Sequence, residues 1–193
     1  MNLSTKSETL SELYGKLSNA VVLPQVSFTV KEWREYKMDT SILSENRPTW
    51  LDDLVIVRSS SQSEDSNIQS LAGHYVSVGN IQGNKHLESA INSVVESYTD
   101  NNQDNLIFIQ PFLTNVERSG VAFTLDPNNA SHYYVINYDE ETGSTNTVTD
   151  GSSNNLNTLY FSKHDKHTDK KWLIKLIDLL KELEEYFNSD SLD

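Results

Sequence analysis

The chain has no cysteine, which excludes a disulfide framework, thiolate metal ligands and a cysteine nucleophile. It is poor in positive charge: 15 Lys and Arg stand against 28 Asp and Glu, for a net charge of −13. A surface of that sign repels a polyanion, so nucleic acid is not an expected partner. A small anionic ligand stays open wherever a few cations converge. No apolar run approaches the roughly 20 residues that span a bilayer. The opening MNLSTKSETLSEL lacks the basic start and apolar middle of a secretory signal. No membrane association is expected, and the expected location is cytoplasmic. Neither a GxxxxGK[ST] phosphate loop nor a G-x-S-x-G nucleophile elbow occurs.

What is present alternates between two periods. Thr5 or Ser4 is placed to cap a first helix through KSETLSELYGKLSNA, where Leu10, Leu13 and Leu17 recur three and four apart. Thr29-Val-Lys-Glu32 is a capping-box pattern that opens a second helix, VKEWREYK. Leu54 to Val57 is an apolar, β-branched run and predicts a strand buried on both faces. Tyr75 to Val78 predicts another, with Gly79-Asn80 as its turn. Residues 84 to 98 carry Leu87, Ile91, Val94, Val95 and Tyr98 in one helical stripe. From there the period becomes two. NLIFIQPFL, SGVAFTLDP, HYYVINYD, TNTVTDG and LYFS read as an antiparallel meander. A last helix, from about Asp169 to Phe187, presents Trp172, Leu173, Leu176, Leu180, Leu183 and Phe187. The fold class expected is α+β, with residues 1–100 as an N-terminal α/β part and 101–193 as a sheet plus helix.

The chemistry centres on LVIVRSSSQSEDSNIQSLAGHY, Leu54 to Tyr75. A strand delivers one arginine, Arg58, into a run of serines. A guanidinium is always charged, and its planar fork of donors fits two phosphate oxygens. Ser59 and its neighbours offer hydroxyl and amide donors, and Gly73 allows close backbone approach. The plain alternative is an arginine paired with Glu64 or Asp65 at a strand end. His164 and His167 fall in a polar stretch with Asp165 and Asp169, and no metal site is expected from them. Asp139-Glu-Glu-Thr-Gly143 reads as a hairpin turn, although Asn137, Asp139, Glu140 and Glu141 also offer ribose or metal contacts. Trp33, Trp50 and Trp172 are expected in the core.

Read together, these stretches resemble the pyruvate phosphate dikinase and phosphoenolpyruvate synthase family. VRSSSQSEDSNIQSLAGHY is similar to its VRSS-x-x-x-ED...SFAGQ signature. Lys6-Ser-Glu-Thr-Leu-Ser-Glu-Leu13 resembles its opening Lys-Gly-x-Asn-Leu-x-x-Leu helix. LPQVSFTVKEW stands at its P-x-G-F-x-V segment with the glycine missing. Gln110-Pro-Phe-Leu113 and Ser119 to Pro127 resemble its Gln-x-Met/Phe-Val strand and SGVMFTxDP.

The resemblance implies the N-terminal portion of an ATP-grasp domain, with a mixed or antiparallel sheet and packing helices. It implies ATP as ligand, whose phosphoryl group passes to a histidine on a separate swivelling domain and then to pyruvate or a related acceptor. By position, Lys6 and Arg58 would neutralise phosphates, with Arg58 as the catalytic clamp and Ser59 beside it. Ser70, Ala72 and Gly73 would form a flap. Gln110, Pro111, Phe112 and Leu113 would border the adenine. The family's Trp-Gly-Leu-Gly-Glu turn is absent, and Asp193 aligns with the first residue of its magnesium-binding Asp-Ile-Glu segment. Magnesium is therefore implied with most of its ligands outside these residues, as are the phosphohistidine and acceptor-binding domains. The 193 residues alone are expected to bind ATP weakly or not at all, without turnover. The alternative is a non-catalytic nucleotide-sensing or interaction module.

Overall fold

In the computed structural model, residues 5–44, 47–61, 76–143, 156–164 and 168–193 are described. Helix α1 (Lys6–Leu13) starts at Thr5, whose hydroxyl accepts from Glu8 N while the Glu8 carboxylate accepts from Thr5 N, a reciprocal capping box. It stops at Leu13, about one turn short of the Leu17 that the leucine spacing includes. Tyr14 is its C-cap and Gly15 takes φ +71°, a left-handed conformation that ends a helix at low steric cost. Strand β1 (Val26–Thr29) runs straight into α2 (Val30–Glu35) through the Thr29–Glu32 capping box. Lys37 and Met38, both at positive φ, end that helix. Two short 3₁₀ turns, Thr40–Leu43 and Thr49–Asp52, fill the stretch that gave no clear periodicity.

The remaining elements are β2 (Val55–Ser60), β3 (Ser77–Ile81), α3 (Asn84–Ser97), β4 (Leu106–Pro111), β5 (Ser119–Phe123), β6 (Tyr133–Asp139), β7 (Asn157–Ser162) and α4 (Lys171–Phe187). They form two antiparallel sheets, ordered β1-β4-β2-β3 and β5-β6-β7. Helices with antiparallel sheets make the fold α+β. Two expectations need correction. Strand β4 does not open the meander: its backbone pairs with β1 on one side and β2 on the other. And Gly79-Asn80 is no turn between strands but a bulge inside β3. Val55 pairs with Ile81 and Val57 with Val78, so β3 carries one extra residue there, and Asn80 takes φ +61°. TNTVTDG, at residues 145–151, lies outside the described residues.

The chain divides into two compact units, Met1–Gly15 with Val22–Phe112, and Lys16–Val21 with Leu113–Asp193. In the first, α3 packs on β2 and β3. Its core joins Phe28, Trp33, Val55, Val57, Leu87, Ile91, Ile107 and Ile109. Burying each such aliphatic side chain contributes about 1.5–3 kcal/mol before chain entropy is counted. Trp33 is fully buried and its indole N–H reaches Asn92 Oδ1 at 2.9 Å. In the second unit, Tyr134, Ile136 and Tyr138 on one face of β6 meet Leu173, Ile177 and Leu180 of α4. Among the described residues no helix is long and apolar enough to cross a membrane.

Candidate functional site

Strand β2 runs through Arg58, Ser59 and Ser60 rather than ending before them. Its side chains therefore alternate between faces. Val55, Val57 and Ser59 share the α3 side, where Ser59 is buried beside its pairing partner Ile107. Ile56, Arg58 and Ser60 share the opposite face. Across the sheet, Ser27, Phe108, Arg58 and Ser77 stand in one row, because each is the register partner of the next. Arg58 is half-buried between fully buried neighbours. A guanidinium in this central-strand position has a fixed Cα and a side chain projecting from the second face.

The start of α1 reaches that same face. Ser7 N donates to Ser60 Oγ at 2.9 Å in a buried contact. Lys6, the residue before it, is exposed. The two cations singled out in the sequence thus belong to elements joined through Ser7 and Ser60, two residues from Arg58. The sequence offers Ser59, Ser60 and Ser61 alike as donors, with Ser59 the one assigned to the site; the structure puts Ser60, not Ser59, on the face of Arg58. Extending the strand alternation from Ile56 would have found this, since positions 56, 58 and 60 share a face.

Gln110 is buried in β4 and pairs with Ile56; Pro111 pairs with Val55. Phe112 N donates to Leu54 O at 2.8 Å. The Phe112 ring sits against Gly79, where an added Cβ would come within 2.7 Å of it. Leu113 is half exposed and begins the second unit's larger segment. Ser70, Ala72 and Gly73, and the alternative arginine partners Glu64 and Asp65, lie outside the described residues. So do Asp165 and His167. A cleft of about 570 Å³ lies between β3 and α3, lined by Leu54, Val78, Ile81, His86 and Ala90 among others. None of the described site residues lines it.

In the second unit, the Asp139 carboxylate is buried and turned inward. It accepts from Glu141 N at 2.8 Å and Thr142 N at 3.2 Å, and also from the Thr142 hydroxyl. This closes the 139–143 turn, with Gly143 at φ +66°. Asn137 Oδ1 accepts from Thr158 Oγ1 at 2.8 Å. Both groups are thus engaged within their own sheet. Among the described residues no three His, Asp or Glu side chains converge on a cation position. Thr124, fully buried, holds the backbone of the last residues: its N–H meets Leu192 O at 2.9 Å, and its Oγ1 accepts from Leu192 N at 2.7 Å. Trp172 packs between Tyr138, at 5.1 Å between centroids, and the Arg118 guanidinium at 5.2 Å.

Residues 37–185, about three quarters of the chain, match the family model described as pyruvate phosphate dikinase, AMP/ATP-binding domain. The chain belongs to that family. No curated protein matches it significantly. The match to the dikinase domain family includes Arg58 and Gln110 to Leu113 but begins after Lys6. Next to Lys6, Ser7 ties the start of α1 to β2 through Ser60. Membership makes the chain an ATP-binding module of the dikinase family.

Proposed function

We propose that this module serves an ATP-dependent phosphotransferase of the phosphoenolpyruvate synthase and dikinase type. A phosphoryl group of ATP passes to a histidine on a separate domain, and from there to pyruvate or a related acceptor. Lys6 and Arg58 neutralise the phosphate oxygens as charge redistributes, since positioning and charge stabilisation supply most of the catalysis in phosphoryl transfer. The observation that carries this reading is the buried Ser7–Ser60 hydrogen bond. It ties the lysine-bearing helix start to the strand face of the arginine. Ser59 would contribute through its backbone, as its side chain is on the core side. Ser70, Ala72 and Gly73 would close over the phosphates. At the adenine, Pro111 has no N–H and that of Phe112 is taken by Leu54. The base edge would therefore meet carbonyls and the Leu113 N–H.

A second reading, a nucleotide-binding module without catalysis, draws support from Asp139, whose carboxylate is spent on its own turn. Nuclear magnetic resonance titration with millimolar Mg-ATP tests the site. Arg58→Ala should weaken binding by at least tenfold, the loss expected for a charge-assisted contact of about 1.5–3 kcal/mol. Unchanged binding in that variant would rule out the clamp.

A further inference from the structure

Ser7 is gripped at both ends of its peptide unit. Its N–H donates to Ser60 Oγ at 2.9 Å. Its carbonyl accepts from Gln25 Nε2 at 2.8 Å, and the same nitrogen lies 3.0 Å from Ser7 Oγ and 2.8 Å from Ser11 Oγ. Ser60 is itself held, because its N–H donates to the Tyr98 hydroxyl at 3.0 Å and that hydroxyl donates to Leu106 O. A continuous chain of polar contacts therefore runs from β4 through Tyr98, Ser60 and Ser7 to Gln25.

Ser60 serves an amide at the helix start that the cap leaves over, and the Gln25 contacts go beyond what capping requires. The N-terminal amides of a helix need partners, and the Thr5–Glu8 box already supplies two. Ser60 and Gln25 add contacts from outside the helix, one from β2 and one from the segment entering β1. Among the described residues, Gln25 Oε1 is buried without a hydrogen-bond partner. Leaving a buried acceptor unmet costs about 1–3 kcal/mol. The side chain accepts that cost while its nitrogen stays on Ser7 and Ser11. Two departures from the motif pattern described above also meet here. Ser7 stands where that pattern has glycine, and Gln25 lies in the segment whose glycine is missing; the Ser7 hydroxyl is one of the Gln25 acceptors.

We infer that Ser60 and Gln25 are positioning residues that hold the start of α1, and with it Lys6, in register with Arg58 for a polyphosphate. This rests on the phosphate role proposed for Lys6 and Arg58. Neither side chain needs to touch the nucleotide. Each acts through the Ser7 peptide, which fixes where the lysine stem begins.

The test uses the 193-residue chain with two ligands, Mg-ATP and adenosine, each titrated by amide shifts, together with hydrogen exchange at the Ser7 amide. Ser60→Ala and Gln25→Leu should speed Ser7 exchange and weaken Mg-ATP about tenfold, the equivalent of one hydrogen bond, while adenosine is unaffected. Ser60→Thr, which keeps the hydroxyl, should restore ATP affinity to within about twofold. Equal loss of both ligands would mean general loosening and overturn the positioning role. So would faster Ser7 exchange with undiminished ATP binding, and if Lys6→Ala and Arg58→Ala still weaken ATP in that case, only the positioning role fails. If those two variants bind ATP as tightly as the parent chain, or no shift occurs with Mg-ATP, the phosphate site and its positioning both fail.

Discussion

The two sheets are built from the same parts and put them to different use. Each is antiparallel, and each has one face closed by a helix, α3 on the first and α4 on the second. The second sheet takes its strands in chain order, β5-β6-β7. Its polar groups are spent internally: Asp139 on its turn, Asn137 on Thr158, and Glu184 on Lys163 and Tyr134. The first sheet inserts β4 between β1 and β2, bringing together strands distant in sequence. It sets a guanidinium in the middle of its second face and anchors a lysine-bearing helix beside it. A sheet assembled from distant segments can collect side chains that no local stretch of sequence contains. A meander collects neighbours.

If helix-on-sheet packing holds both sheets alike, core truncations should hurt them alike. Ile91→Ala on α3 and Leu180→Ala on α4 should each cost about 2–5 kcal/mol in denaturant melts, as both side chains are buried against a sheet. A markedly smaller loss for Leu180→Ala would show that the second sheet leans on its polar contacts more than on its core. Those contacts can be probed directly. Lys163 and Glu184 keep only 15% and 18% of their side chains exposed, and Tyr134 Oη donates to Glu184 Oε2 at 2.9 Å. Glu184→Ala should cost about 1–3 kcal/mol, less than a fully buried pair because solvent still reaches it. Burial, then the hydrogen bond to Glu184 and its charge, hold the Tyr134 phenol far above its ordinary range. Ultraviolet titration should find Tyr134 still un-ionised above the ordinary tyrosine range, and Glu184→Ala should bring it down. Because the folded value is raised, the associated stability is complete below the ordinary tyrosine pKa and is lost as pH rises above it.

The same contrast explains what could be read in advance. Thr29-x-x-Glu32 and Thr5-x-x-Glu8 are local signals, and both capping boxes formed. The β6 alternation and the α4 stripe are local too. The order of the first sheet was not legible, because pairing of Val26 with Ile109 joins residues far apart and periodicity says nothing about partners. At the candidate site, the sequence offered Arg58 and Lys6 through a motif and a resemblance. It gave no sign that Gln25 would grip Ser7, since a glutamine in an extended segment has no fixed partner. It offered Ser59, Ser60 and Ser61 alike, because a strand read as ending at Val57 gives no alternation to tell their faces apart.

Glycine substitutions separate the sheets at finer scale. At Gly120 an added Cβ would lie 2.3 Å from Asn137 O and 3.1 Å from Tyr138 Cα, both backbone atoms of the neighbouring strand. At Gly79 the obstacle is the Phe112 ring, a side chain that can turn. Gly120→Ala should therefore cost about 1–3 kcal/mol by forcing β5 from β6, and Gly79→Ala less. The reverse order would mean that the Phe112 ring is locked in place, a result that bears on the proposed adenine edge.

The smallest expected effect concerns the segment Lys16–Val21 of the second unit. Glu182 on α4 accepts from Ser18 N at 2.6 Å and from Asn19 N and Nδ2 at 3.0 Å each. Led by the Ser18 amide, these donors hold its carboxyl below the ordinary carboxylate range. A lowered folded pKa stabilises above the unfolded value and is lost as pH falls through the folded one. The parent chain should thus lose some stability on acidification below about 4.5 that Glu182→Gln lacks. The readout is the difference in melting midpoint between the two proteins across that range. Identical acid profiles would mean the carboxylate does not hold the segment in solution.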